Sequence, residues 1–190
     1  MKIQKNIENY SPWNEQEEVD KQIILRYLKE YPDIFYRENP IAHFSASSWI
    51  VNEERTKVLM VFHNLYQSFS WSGGHADGEE NLLHVAIKEA KEETGICNIR
   101  PLLEDIYSME ILCVNGHQKK GKYVASHVHL NITYLLEGKE DDELQIKPDE
   151  NSAVKWVELE QVTKICEEAC MKPIYDKLNQ KLKKYQNETC

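Results

Sequence analysis

The chain lacks any apolar run long enough to cross a membrane. Its longest stretches, Lys57-Val-Leu-Met-Val-Phe62 and Ile132-Thr-Tyr-Leu-Leu136, fall far short of the ~20 residues a spanning helix needs. The first residues, Met-Lys-Ile-Gln-Lys-Asn-Ile-Glu, lack the apolar core of a signal peptide, so export is not expected and a cytoplasmic address is the default. Basic charge is scarce: 23 Lys plus Arg stand against 32 Asp plus Glu, a formal net charge of −9. Such a surface argues against a nucleic-acid polymer as partner, because backbone phosphates are held by basic patches. Small phosphorylated ligands stay open, since bound divalent cations can mediate the contact. A disulfide framework is missing too. The five cysteines are odd in number and scattered, and Cys166 and Cys170, four apart, have no further pair at zinc-ligand spacing. No repeat or low-complexity linker breaks the chain.

What is present is globular. At 41% hydrophobic and 29% charged residues, 190 residues make about one and a quarter domains on a scale of roughly 150 per domain. Asn14 with Glu17 has the form of a capping box, and Val19, Ile23, Ile24, Tyr27 and Leu28 form an apolar stripe at helical spacing, which Pro32 should end near Tyr31. Residues 43–51 and 57–63 read as strands joined by a polar turn, the second apolar enough for a central strand. Residues 64–78 read as a long loop, and 81–94 as a helix stopped by Gly95. Strands are expected at 105–114 and 122–136, joined by a turn around Gly116 to Gly121. A second long loop follows at 138–152, then a strand at 153–159, then a helical tail interrupted at Pro173. That order predicts an α+β fold, a mixed sheet with helices on both faces, rather than regular βαβ alternation.

The chemistry concentrates in Trp71-Ser-Gly-Gly-His-Ala-Asp-Gly-Glu-Glu-Asn-Leu-Leu-His-Val-Ala-Ile-Lys-Glu-Ala-Lys-Glu-Glu-Thr-Gly-Ile96. On a helical wheel Leu83, Ala86, Ile87 and Ala90 share the face expected to pack on the sheet, while Glu89, Glu92 and Glu93 lie on an adjoining one. At ~6 Å and an effective dielectric of ~20, repulsion approaches about 3 kcal/mol per carboxylate pair. A solvated acidic face is one explanation. A site for a hard divalent cation is the other, favoured by Gly73 and Gly74, which let backbone oxygens approach a metal closely.

These residues resemble the Nudix box of the Nudix hydrolases: Gly, five residues, Glu, seven residues, then Arg-Glu-apolar-x-Glu-Glu-x-Gly-apolar. Here the positions are Gly74, Glu80, Lys88, Glu89, Ala90, Glu92, Glu93, Gly95 and Ile96, with Lys88 where the family usually has arginine. Chance agreement in one window is below about one in a million from average residue usage. The resemblance implies an α/β/α sandwich for residues 41–190, with 1–40 a helical N-terminal extension of the same globular unit. It implies Mg²⁺ or Mn²⁺ held by Glu89, Glu92, Glu93 and the Gly73 carbonyl, with Lys88 orienting Glu89. The implied reaction is hydrolysis of a nucleoside diphosphate linked to another group, by water attacking phosphorus. A later loop carboxylate is also implied. Asp149 and Glu150 are both available, and Glu150, six residues before Trp156, is the choice, as metal ligand or as base; whether it or Glu89 is the base stays open. Glu80 is expected to support the loop and the helix start.

Weaker candidates surround the box. His127, His129 and Asn131 alternate on a strand and share one face, either toward substrate or as a polar face with satisfied hydrogen bonds. His75 and Trp71 flank the glycine loop, and Trp71 or Tyr66 either stacks on a base or anchors the loop. Two rival functions remain: a non-catalytic Nudix-like binding module, disfavoured by the intact glutamates, and isopentenyl diphosphate isomerase, which needs an early catalytic cysteine where none precedes Cys97. The expected partner is a small phosphorylated molecule, and homodimer formation is left open.

Overall fold

The structure, a computed structural model, describes residues 1–119 and 121–189. Among them are five α-helices and ten strands, an α+β fold built on a mixed sheet. No helix of the described residues is long and apolar enough to cross a membrane. The chain divides into two compact units, and each is described in turn.

The first unit comprises Met1–Ser48, Gly73–Glu89 and Leu103–Leu135. It opens with helices α1 (Lys2–Asn9) and α2 (Glu15–Glu30). Asn14 caps α2 by accepting from the Glu17 amide, and the helix ends at Tyr31 as Pro32 requires. The expected apolar stripe is corrected: Ile24 and Leu28 are buried, but Val19 is 51% exposed, and the buried position in the first turn is Glu17. Its carboxylate accepts from the Trp13 amide (2.7 Å), the Tyr10 hydroxyl (2.5 Å) and the Ser108 hydroxyl (2.8 Å). A charge is tolerated there because donors surround it. The same contacts fix α2 to β6 (Ser108–Val114), as does the Ile111 amide donating to Asp20.

Strand β6 pairs antiparallel with β9 (His127–Gly138), from Ser108 opposite Thr133 to Val114 opposite His127. The single expected strand at 122–136 is broken. Residues Lys122–Val124 (β8) pair instead with His117–Lys119 (β7) in a separate two-stranded sheet; Lys120 lies outside the described residues. The start of β9 meets the start of β1 (Ala42–Val51), where the Val128 amide donates to the Ile41 carbonyl.

The second unit comprises Trp49–Ser72, Ala90–Leu102 and Leu136–Cys190. Strand β2 (Lys57–His63) pairs antiparallel with β10 (Asn151–Glu158), with β3 (Ser68–Ser70) and, at Val51 opposite Val58, with the end of β1. The end of β9 carries β5 (Ile99–Pro101), and Gly138 there sits so close to Ile50 and Ile96 that a side chain would collide. Because β1 and β9 are neighbours that meet both at their starts and at their ends, these two central strands run parallel. The sheet order is β10-β2-β1-β9-β5.

Two further expectations change. The loop expected at 64–78 contains β3 and β4 (Ser72–His75); β4 pairs with β1. In the tail, α4 (Val162–Ile165) stops at Cys166, and Pro173 begins rather than interrupts α5 (Lys172–Thr189). Proline's missing N–H is harmless in a first helical turn, where that donor has no intrahelical acceptor. From α5, Tyr175 is buried between the rings of Trp49 and Trp71.

Candidate metal centre

Helix α3 (Leu82–Thr94) carries the acidic segment. At its head the Asn81 side chain accepts from the His84 amide, and Glu79, not Glu80, accepts from the Asn81 amide (2.8 Å) and lies 3.3 Å from the His84 ring. At its tail Gly95 adopts φ +74°, the left-handed stop the sequence predicts, with its amide on the Lys91 carbonyl. The buried face differs from the expected one. Leu82, Val85, Ala86 and Ala90 are buried, whereas Leu83 and Ile87 are half-buried. The same rotation takes Glu93 inward to 5% exposure and leaves Glu92 outside.

Glu89 lies against the glycine strand. A Cβ built on Gly74 would fall 2.4 Å from the Glu89 carboxyl carbon, and one on Gly73 would fall 2.7 Å from the Ala46 carbonyl oxygen. At Gly73 the obstruction is the backbone of β1, which only glycine avoids, whereas at Gly74 a side chain would force the Glu89 carboxylate to swing aside. Lys88 reaches its neighbour, with Nζ 3.5 Å from a Glu89 oxygen, but the lysine is half exposed while Glu89 is largely covered.

The loop before β10 approaches the last turn of α3. Asn151 donates to the Glu93 carbonyl (2.9 Å) and accepts from the Lys147 amide (3.2 Å). The Lys147 ammonium lies 3.0 Å from Glu150 and 3.7 Å from Glu92. The Glu150 carbonyl is anchored in turn by the Asn64 amide (2.8 Å). Glu93 and Glu150 each offer a carboxylate oxygen within 4.8 Å of the other, and Glu89 precedes Glu93 by one turn on the same helix. Sequence reading missed Lys147 and Asn151. The signal available was a lysine three residues before Glu150, the spacing of a turn that closes on itself.

The other candidates separate. Trp71 is 8% exposed, its ring edge-on to Tyr175, so in this structure it anchors the segment. Tyr66 is exposed beside His63. Asn131 is buried and tied to Ser45, Ser47, Glu110 and Thr133, which makes it a joint between strands. His127 and His129 meet His75 from β4 and a residue not singled out from sequence, His43 from β1. Cys97, Cys113 and Cys170 are exposed and Cys166 is buried, all as free thiols.

A model of the NUDIX domain matches residues 42–178. This chain belongs to the Nudix family. Among curated relatives, the asymmetrical bis(5'-nucleosyl)-tetraphosphatase of Mus musculus is 27% identical over 95 residues, covering 50% of this chain and 58% of that protein. The chain thus spans less than two thirds of such a relative's length. Among solved structures, an Ap4A hydrolase of C. elegans in a binary complex superposes with a TM-score of 0.54 at 24% identity, over 78% of this chain and 98% of that one. A NUDIX-family hydrolase of Clostridium perfringens does so with a TM-score of 0.53 at 22% identity, over 74% and 96%. These superpositions show the Nudix fold.

Proposed function

We propose that this Nudix protein is a divalent-metal-dependent hydrolase that cleaves a phosphoanhydride bond in a nucleoside diphosphate linked to another group. The observation that carries this reading is the meeting of Glu93 on α3 with Glu150 from the loop before β10, with Glu89 one turn earlier on the same helix. The donor set fits Mg²⁺ or Mn²⁺, hard cations that prefer carboxylate oxygens, and Lys147 beside Glu92 and Glu150 marks the same demand for positive charge. Glu89, Glu93 and Glu150 would hold the cation, with Glu92 and the Gly73 carbonyl beside them. Bound there, it would supply Lewis-acid chemistry, neutralising diphosphate charge and polarising the attacked phosphoryl group.

The chain's own groups do the rest. Glu89 or Glu150 takes the proton of the attacking water, since both are carboxylates on anchored backbone. Lys88 stands beside Glu89, which lies against the glycines, although an ammonium fixes orientation less firmly than a guanidinium fork. The tight glycine strand holds the backbone where a phosphate or cation can approach it. The names of the relatives point first to dinucleoside polyphosphates as candidate substrates.

The test is incubation with Mg²⁺ and a panel of dinucleoside polyphosphates, nucleotide sugars, ADP-ribose and oxidised nucleotides. Metal-dependent release of a nucleoside phosphate is expected from at least one. Nucleotide binding with no turnover across the panel would favour a non-catalytic module instead.

A further inference from the structure

His43, His75, His127 and His129 each offer a ring nitrogen within 4.8 Å of the others. The His43 ring centre lies 5.0 Å from each of the other three. They come from three strands, His43 on β1, His75 on β4 and the other two on β9. We propose that these four imidazoles form a second metal site, built for one divalent transition cation of the zinc type and chemically distinct from the carboxylate group.

Three observations support it. First, the tautomers are set. His43 Nδ1 lies 3.1 Å from the Asn39 carbonyl and His127 Nδ1 lies 2.8 Å from the Ala125 carbonyl. A carbonyl only accepts, so each Nδ1 carries the proton and each Nε2 presents its lone pair to the cluster. This is the arrangement by which metal-binding histidines are oriented from behind. Second, the lone pair on His43 is orphaned. The residue is 3% exposed, and its Nε2 is buried without a hydrogen-bond partner. A buried polar atom in that state costs about 1–3 kcal/mol unless something meets it. Third, the spacing suits the ion. Zinc–nitrogen bonds of about 2.0–2.1 Å in a tetrahedron put neighbouring nitrogens roughly 3.3 Å apart. His127 and His129 already stand at 3.2 Å, Nε2 to Nε2.

Charge agrees with geometry. Burial, with the neighbouring rings, pushes His129 down to about 2, and burial lowers His43 as well, so both stay neutral as ligands must. Four neutral imidazoles suit a borderline cation and give Mg²⁺ no oxygen. Arg37, whose charge reaches His43 and His129, is itself paired with Asp77 through two guanidinium contacts. A site with four protein ligands is closed and structural in type. Its consequence is a clamp: His75 follows Gly74, so the ion ties the glycine strand to β1 and β9 while Gly74 lies against Glu89.

The experiment is titration of chelator-stripped full chain with Zn²⁺ in a large excess of Mg²⁺, read by calorimetry, by thermal unfolding and by X-ray absorption at the zinc edge. One zinc per chain is expected, with outer-shell scattering of imidazole and a raised unfolding temperature. His127→Gln and His43→Gln should each weaken binding at least tenfold, whereas Glu93→Gln should retain it, which keeps this result separate from the hydrolase reading. If His43→Gln does not fold by circular dichroism, the half-exposed His127→Gln and the spectrum of the unaltered chain decide. No stoichiometric zinc, zinc without imidazole scattering, or equal zinc affinity in His127→Gln overturns the proposal.

Discussion

Two groups of side chains gather in this protein, and they solve opposite electrostatic problems. Glu89, Glu93 and Glu150 are anions held close together, and the chain answers with lysines, Lys88 beside Glu89 and Lys147 beside Glu150. The four histidines draw no such counter-charge from one another; carbonyls orient two of them, and one nitrogen is left unmatched. On the proposed reading a bound cation would offset the repulsion in the first group, so removing a charge there would relieve strain while lowering turnover. Removing a histidine relieves nothing. A third arrangement sets the scale for both: Glu17 is just as buried as any ligand, and three protein donors converge on its carboxylate.

Glu17→Ala is therefore expected to have the largest effect, about 3 kcal/mol of folding free energy. It removes at once the carboxylate that the Tyr10 hydroxyl, the Ser108 hydroxyl and the Trp13 amide share. Urea unfolding followed by circular dichroism measures it, and a loss under about 1 kcal/mol would show that the N-terminal helices are held by apolar contacts instead. Next is Glu93→Gln. Turnover should fall at least a hundredfold, about 2.7 kcal/mol of barrier, while stability in metal-free buffer stays level or rises slightly. Full turnover by this variant at low Mg²⁺ would break the assignment of the carboxylates.

Glu150→Gln sharpens the contrast further, because it lies on a loop and not on the helix. At least a tenfold loss is expected, about 1.4 kcal/mol, with Asp149→Asn doing less. Unchanged kinetics for Glu150→Gln would remove it both as ligand and as base. The smallest effect should come from Lys88, which is half exposed and 3.5 Å from its partner. Lys88→Ala is expected to lower turnover a few-fold, and Lys88→Arg to be tolerated; an alanine variant at the unaltered rate would leave this lysine a surface residue.

Much of the fold could be read directly. The apolar run at 57–63, the Asn14 cap and the Gly95 stop all appear where local chemistry puts them. Strands β3 and β4 were not legible. Each is only three or four residues of serine and glycine with one aromatic or histidine, and such segments become strands only when β2 and β1 supply hydrogen bonds. The inward face of α2 was misjudged for a related reason: a glutamate reads as exposed until its buried donors are known.

By itself the sequence determined the Nudix membership and the acidic stripe of α3. Both rest on spacing within one helix, and 3.6 residues per turn bring positions three and four apart together whatever else the chain does. Which glutamate turns inward, the arrival of Glu150 at Glu93, and the meeting of His43, His75, His127 and His129 were decided only by the tertiary structure. The alternation of His127 and His129 was visible, but His43 and His75 join them through strand pairing and register. Those are set by contacts between distant segments, and no local period encodes them.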